Sequence, residues 1–528
     1  MTVRRMMGTE TEYAVSCVGA PRFDPVGWSF SVVRGASDPA TSHIRWDYRA
    51  EDPVNDARGH RLPRSMARAD MLTDEPRSVM VNTVVPNGGR VYVDHAHPEY
   101  SAPETRDPFE AVVFDHAGDA IMHDAAAEAG RTVGRPMRLH RNNIDGKGAS
   151  WGTHENYLMP RSVPFDHVVP LMTVHLVSRQ IFVGSGRAGL GERSEGAGYQ
   201  LSQRSDYIHT RIGLQTTFDR PIINTRDESH STDDWRRLHV IVGDANRMDV
   251  PQALKLGTTS LVLWMVENGS SHGVDVESLA QGLLPVDPVA ALHTVSRDLT
   301  LSAPIQTQGC GMMTAWQMQT RLLSTVYRIA ADVHGVDSTG RPLWPDESTS
   351  RIVDLWSRAL RDVAAIRHSD DDARMRMADE ASRVEWLLKW QLLQRWRQRG
   401  GLLWTDPRVQ ALALSWSDID PKSSVFSRLR GAVENIVPDE GRAVLAAGHH
   451  APEDTRACVR ARLLSLFPDR VVAVSWSSVT LRLDDGGLAS LDMSDPSEEW
   501  CRSRMRLLDA DARVRGTDSV IRELVSGR

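Results

Sequence analysis

Two short segments of β character, each carrying acidic side chains on a single face, restrict this chain more than anything else in it. In RMMGTETEYAVS, residues 5–16, strict alternation puts Gly8, Glu10, Glu12 and Ala14 on one face and Thr9, Thr11, Tyr13 and Val15 on the other. The turn signal Asn87-Gly88-Gly89 introduces the second segment, GRVYVD at 89–94, with Arg90, Tyr92 and Asp94 opposite Val91 and Val93. Paired in a sheet, the two would gather Glu10, Glu12, Asp94 and the nearby Glu99 around Tyr92. Acids crowded this way repel unless a cation neutralises them. Hard oxygen ligands suit Mg²⁺, which keeps part of its water and meets nucleotide phosphates. The competing reading is a solvated strand face.

Arg90, and Arg226 in RPIINTRDESH, offer guanidinium forks for phosphate or carboxylate; an ordinary surface ion pair is the alternative for each. Gly184, Gly186 and Gly189 spell GxGxxG, but the polar, glycine-broken text behind them opens no helix, which argues against a dinucleotide fold and for a loop facing substrate. His95-x-His97 and the His449-His450 pair match no zinc spacing and read as hydrogen-bonding residues.

With 528 residues, 41% of them hydrophobic and 25% charged, the chain can bury a large core. Its net charge of −7 supplies no overall basic field, so neither nucleic acid nor a membrane surface is expected as a partner, and an acidic partner needs a local basic groove. Ser260–Val266 and similar apolar stretches fall far short of the roughly 20 residues a bilayer requires. Glu10 and Glu12 interrupt the start of the chain before a secretory apolar run could form. Cys17, Cys310, Cys458 and Cys501 include no CxxC pair, which points to a reducing, cytoplasmic setting.

A polar, proline-bearing run at about 38–78 is expected to be a long mobile insertion. Helices are expected at 108–130, 166–183, 250–268, 312–334, 350–366 and 372–399, and a further strand at 151–159. The last helix carries Met377, Ala381, Val384, Leu388 and Leu392 as an apolar stripe, and Trp386, Trp390 and Trp396 read as core or interface residues. A boundary near 438–452 divides a catalytic unit, 1–437, from a small C-terminal unit, 438–528, with a helix at 454–467 and strands at 471–483 and 488–493.

Five blocks, GTETEY (8–13), GRVYVDHAHPEYSAPE (89–104), NNIDGKGASWGTHENYL (142–158), RPIINTRDES (220–229) and LHVIVGDANR (238–247), occur in one order. Together they resemble the family of Pup ligases and Pup deamidases/depupylases, relatives of glutamine synthetase and the γ-glutamyl-cysteine ligases, from residue 4 to about 490. VDHAHPEYS and the insertion resemble the hydrolase branch. The resemblance implies an α/β fold with a glutamine-synthetase-like curved antiparallel sheet flanked by helices, closed at the nucleotide site by the small C-terminal domain. It also implies ATP and Mg²⁺ as cofactors, with Glu10, Tyr92 and Glu99 as magnesium ligands, Arg90, Arg226 and Trp476 at the nucleotide, and Asp94 as the catalytic aspartate. The implied partners are Pup, the prokaryotic ubiquitin-like protein, and pupylated proteins. The implied reactions are deamidation of Pup's C-terminal glutamine and cleavage of the Pup–lysine isopeptide, with the nucleotide standing by unconsumed. Asp94 would attack the carbonyl or activate water; the residues leave both routes open. A ligase of the same fold and a non-catalytic Pup-binding paralogue are the alternatives. Departures from the family pattern are TRDESH for TRDEPH, Trp151 for a tyrosine, and TAWQMQ for TALEIQ.

Overall fold

The structure is a computed structural model that describes residues 1–63, 82–192, 198–437, 440–511 and 516–526. In chain order its main strands are β1 (Met7–Glu12), β2 (Asn82–Val84), β3 (Arg90–Asp94), β4 (His97–Ser101), β5 (Thr153–Pro160), β6 (Trp235–Val240), β7 (Val471–Val474), β8 (Ser478–Arg482) and β9 (Leu488–Asp492). The helices that matter here are α1 (Pro25–Gly35), α2 (Pro108–Val133), α3 (Phe165–Ser178), α4 (Asp249–Asn268), α5 (Glu385–Gly400) and α6 (Arg456–Leu466).

Strands β1 to β6 form one sheet in the order β6-β5-β1-β4-β3-β2, antiparallel at every pairing. Such a sheet packs one face on a core and leaves the other for polar groups. Met7, Tyr157, Met159, Leu238 and Val240 enter the largest apolar cluster with α3 and α4. Val91 and Tyr100 enter a second cluster with α1 and α2. Both α3 and α4 are buried nearly all round, because outer helices at Ala315–His334 and Glu347–Arg367 cover the side away from the sheet. The molecule is therefore the expected mixed α/β architecture, a large antiparallel sheet backed by helices. Among the described residues no helix is long and apolar enough to cross a membrane.

Several expected elements break where tertiary partners intervene. The strand expected over 5–16 ends at Glu12; Tyr13 is buried with its hydroxyl donating to Asp119 (2.8 Å), and Ala14–Cys17 pairs with Met137–His140 instead. The helix expected over 372–399 is three pieces, Asp371–Arg374, Ala378–Ala381 and α5, with Gln391 Nε2 donating to the carbonyls of Arg374 and Met377 at the breaks. Residues 440–449, expected in a boundary segment, are helical and dock by Asn87 Nδ2 donating to Ala447 O (2.8 Å). The end of GxGxxG itself forms a short strand, Arg187–Gly189, and the described residues directly behind it, 190–192, are not helical. A Cβ on Gly186 would lie 1.9 Å from the Tyr199 hydroxyl, so that position admits only glycine.

Residues 38–63 of the expected insertion have defined structure, and 64–78 lie outside the described residues. Arg45–Trp46 pairs in parallel with Ala473–Val474 and so becomes the fourth strand beside β7, β8 and β9. Trp46 enters the apolar cluster of the C-terminal segment.

Candidate active site

Register decides what the polar face of the large sheet displays. Glu10 lies opposite Ser101 on β4 and His154 on β5, Glu12 opposite Glu99, Glu99 opposite Tyr92, and Asp94 opposite His97. Asn156 lies opposite His239 on β6, which adds that imidazole to the same face. Two groups of ligand atoms result, Glu10/His154/His239 and Glu12/Asp94/Glu99, and within each the atoms lie within 4.8 Å of one another.

In the first group His154 Nδ1 lies 3.1 Å and His239 Nε2 3.6 Å from Glu10 Oε2. Burial works to raise the Glu10 carboxyl, but the two imidazoles hold it well below the usual carboxylate range. Burial and the Arg237 cation push His239 down to about 3, so it is a neutral imidazole with a lone pair to give. In the second group Glu99 is 1% exposed, and among the described residues neither carboxylate oxygen has a hydrogen-bond partner. Burial first, then the charges of Glu12, Asp94 and Glu10, hold its carboxyl well above the ordinary range, and Tyr92 offsets this only in part. A buried carboxylate left unpaired among other acids is costly. A divalent cation would remove that cost, so the all-oxygen set fits Mg²⁺. Asp94 differs from its neighbours in being 38% exposed. Desolvation would raise its carboxyl, but the His95 ring at 2.8 Å outweighs this and holds it below its usual value.

The structure thus places the residues singled out in the sequence as follows. Glu99 and Asp94 share one group, Tyr92 is the cross-strand neighbour of Glu99 two residues before Asp94 on β3, and Glu10 stands in the adjoining group with two histidines. Arg90 lies beyond, 4.0 Å from the Trp46 ring centre and 4.1 Å from that of Tyr92, its Nε donating to Asn82 Oδ1 (2.6 Å). Trp476 meets Trp46 edge-on at 5.2 Å and carries the Arg460 guanidinium 5.0 Å above its ring. Arg226 is bonded to Glu228, and the Glu228 charge holds that guanidinium up against the effect of burial.

Sequence reasoning left out His154, His239 and Trp46. The two histidines were readable in THENYLMP and LHV once those stretches were taken as strands in register with Glu10; Trp46 was obscured by its place in a polar run. On the far side, Arg204 donates to Trp151 O and Arg220 Nη2 to Ser150 O (2.8 Å), while Gly152 N donates to Glu12. Burial, then repulsion from Arg220, lowers Arg204 to about 9. The three residues Ser150–Gly152 thereby bind two cations and one acid of the site together.

Known proteins resemble this chain along most of its length. A family model described as Pup-ligase protein matches residues 5–480. The Depupylase of Acidothermus cellulolyticus is 39% identical over 100% of both chains, and the Pup deamidase/depupylase of Mycobacterium tuberculosis 39% identical over 94% of each. The Pup–protein ligase of Micrococcus luteus is 37% identical over 79% of this chain and 86% of its own. Among solved structures, the complex of Pup with its ligase PafA gives a TM-score of 0.73 at 28% identity, covering 100% of this chain and 98% of that one. PafA in complex with ADP gives 0.67 at 31%, covering 81% and 90%. With its acid-bearing sheet and its motif blocks both accounted for, the chain belongs to the Pup-ligase family.

Proposed function

We propose that this protein is a Pup deamidase and depupylase. It hydrolyses the side-chain amide of Pup's C-terminal glutamine to glutamate and ammonia, and it cleaves the isopeptide joining that γ-carboxyl group to a substrate lysine. The observation that supports this best is the partly exposed Asp94 carboxylate at the edge of a buried acid group whose Glu99 has no hydrogen-bond partner among the described residues. The relatives named for depupylation or deamidation are each 39% identical to this chain, against 37% for the Micrococcus ligase, which favours hydrolysis over ligation.

In this reading Glu10, Tyr92 and Glu99 hold Mg²⁺, with His154, His239 and Glu12 completing the donor sets, and Arg90, Arg226 and Trp476 receive ATP, which is kept as a standing cofactor. Bound there, the metal supplies Lewis acidity and charge neutralisation. The chain's own residues do the rest. An amide is a poor electrophile and needs an ionised group beside its carbonyl carbon. Asp94 provides it, by direct attack or by taking the proton of an attacking water, and His95 keeps that carboxyl ionised. His154 and His239 keep Glu10 anionic for the metal. Pup and pupylated proteins are the substrates.

Asp94→Asn tests the assignment. Ammonia release from glutamine-ended Pup is expected to fall by on the order of 10³-fold while ATP binding persists. Unchanged release would remove Asp94 from the chemistry.

A further inference from the structure

We infer that Trp46 is a positioning residue of the nucleotide site, fixing the Arg90 guanidinium, and that the limb around it joins Arg90 and Arg226 into one cradle anchored on the C-terminal sheet. The inference rests on the proposal above that these arginines receive ATP. Contacts along the limb support it. Trp46 lies 4.0 Å from the Arg90 guanidinium, and a guanidinium covered on its faces meets an anion only through its in-plane N–H edge. Trp46 Nε1 donates to Glu51 Oε1 (2.7 Å), and Glu51 in turn lies 3.6 Å from Arg90 Nη1. The backbone of the limb is held by strand pairing of Arg45–Trp46 with Ala473–Val474 and by Asp47 N donating to Val474 O (2.8 Å). Further along, Ala57 N donates to Thr225 O (2.8 Å) and Asn55 Nδ2 to Asp227 O (2.8 Å), on either side of Arg226.

Trp46 is 8% exposed and has apolar neighbours on the C-terminal sheet, so its removal could act through folding alone. The test is therefore a cycle on the full chain: Trp46→Leu, Trp46→Phe, Arg90→Gln and the Leu/Gln double variant, each measured for ATP affinity by calorimetry and for thermal midpoint. Trp46→Leu is expected to weaken ATP about tenfold. Trp46→Phe, which keeps a π face, should stay within about threefold of the parent. In the Arg90→Gln background Trp46→Leu should cost less than about twofold more. An equal loss in both backgrounds, or a loss in Phe matching that in Leu, would make Trp46 merely structural and overturn the inference. If Arg90→Gln alone leaves ATP affinity unchanged, the assignment of Arg90 to the nucleotide fails and the inference falls with it, a result separable from failure of Trp46.

Discussion

At the scale of single residues, Glu99 shows how a site can cost the fold stability. Its folded carboxyl titrates above the unfolded value of 4.5, so the metal-free chain is penalised at neutral pH, and the penalty fades as pH falls through the folded pKa toward the unfolded one. Glu99→Gln should therefore stabilise the metal-free chain by about 1–3 kcal/mol at pH 7, with the gain gone near pH 4, while weakening Mg²⁺ binding. Denaturant midpoints across that range, with and without Mg²⁺, check it; a destabilised variant would contradict an unpaired Glu99 carboxylate. Period-2 alternation made the placement of Glu10, Glu12, Tyr92 and Asp94 on one face of their strands readable before any fold was known, with Glu99 entering only as a nearby acid. What it could not supply was which strands flank them, and His154 and His239 come from strands more than 140 residues beyond Glu10. The departure TAWQMQ turns out to be neutral locally: Thr314 and Gln317 form a reciprocal capping box at the start of their helix, a role glutamine fills as glutamate does.

Elements are held behind the site by buried charge. Arg179, at the end of α3, bonds both oxygens of Glu155 on β5 (2.5 and 2.9 Å), and the Tyr157 hydroxyl donates to the same carboxylate (2.6 Å). Removing one partner strands the other charge, so Arg179→Met should destabilise by about 3–5 kcal/mol, and adding Glu155→Gln should recover part of the loss. Unfolding midpoints of the two variants decide this, with no recovery in the double variant arguing that Arg179 matters for its packing alone. Helices with regular apolar spacing, such as α2 and α4, were legible to within a few residues. The run at 371–400 was not, because side-chain bonds from Gln391 to backbone carbonyls compete with continuous helix, and a periodicity reading has no access to such long-range partners.

Across the whole molecule, the C-terminal segment is fastened to the sheet by one acid between two arginines. Glu104 accepts from Arg456 Nε (2.7 Å) and Arg460 Nη2 (2.7 Å), and Arg460 also donates to Gly88 O (2.9 Å). Burial opposes the charge on Glu104, but the two guanidiniums hold its carboxyl down to about 2 from 4.5. That contribution, about 3 kcal/mol, is complete above pH 4.5 and lost as pH falls through 2. Glu104→Gln should therefore lower stability by about that amount at pH 7, and its difference from the parent should shrink steadily in acid, as read by denaturant titration. Trp46, from a stretch that reads as polar insertion, closes the same junction from the other side, and only the assembled C-terminal sheet gives it a strand to join. In the proposed function the acid face hydrolyses an acyl bond without spending its nucleotide. The most direct measurement is to incubate the chain with glutamine-ended Pup, ATP and Mg²⁺, following the mass of Pup and the formation of ADP together. A one-dalton gain in Pup with less than stoichiometric ADP is predicted; an unchanged Pup mass, or ADP formed mole for mole with Pup attached to lysines, would contradict it.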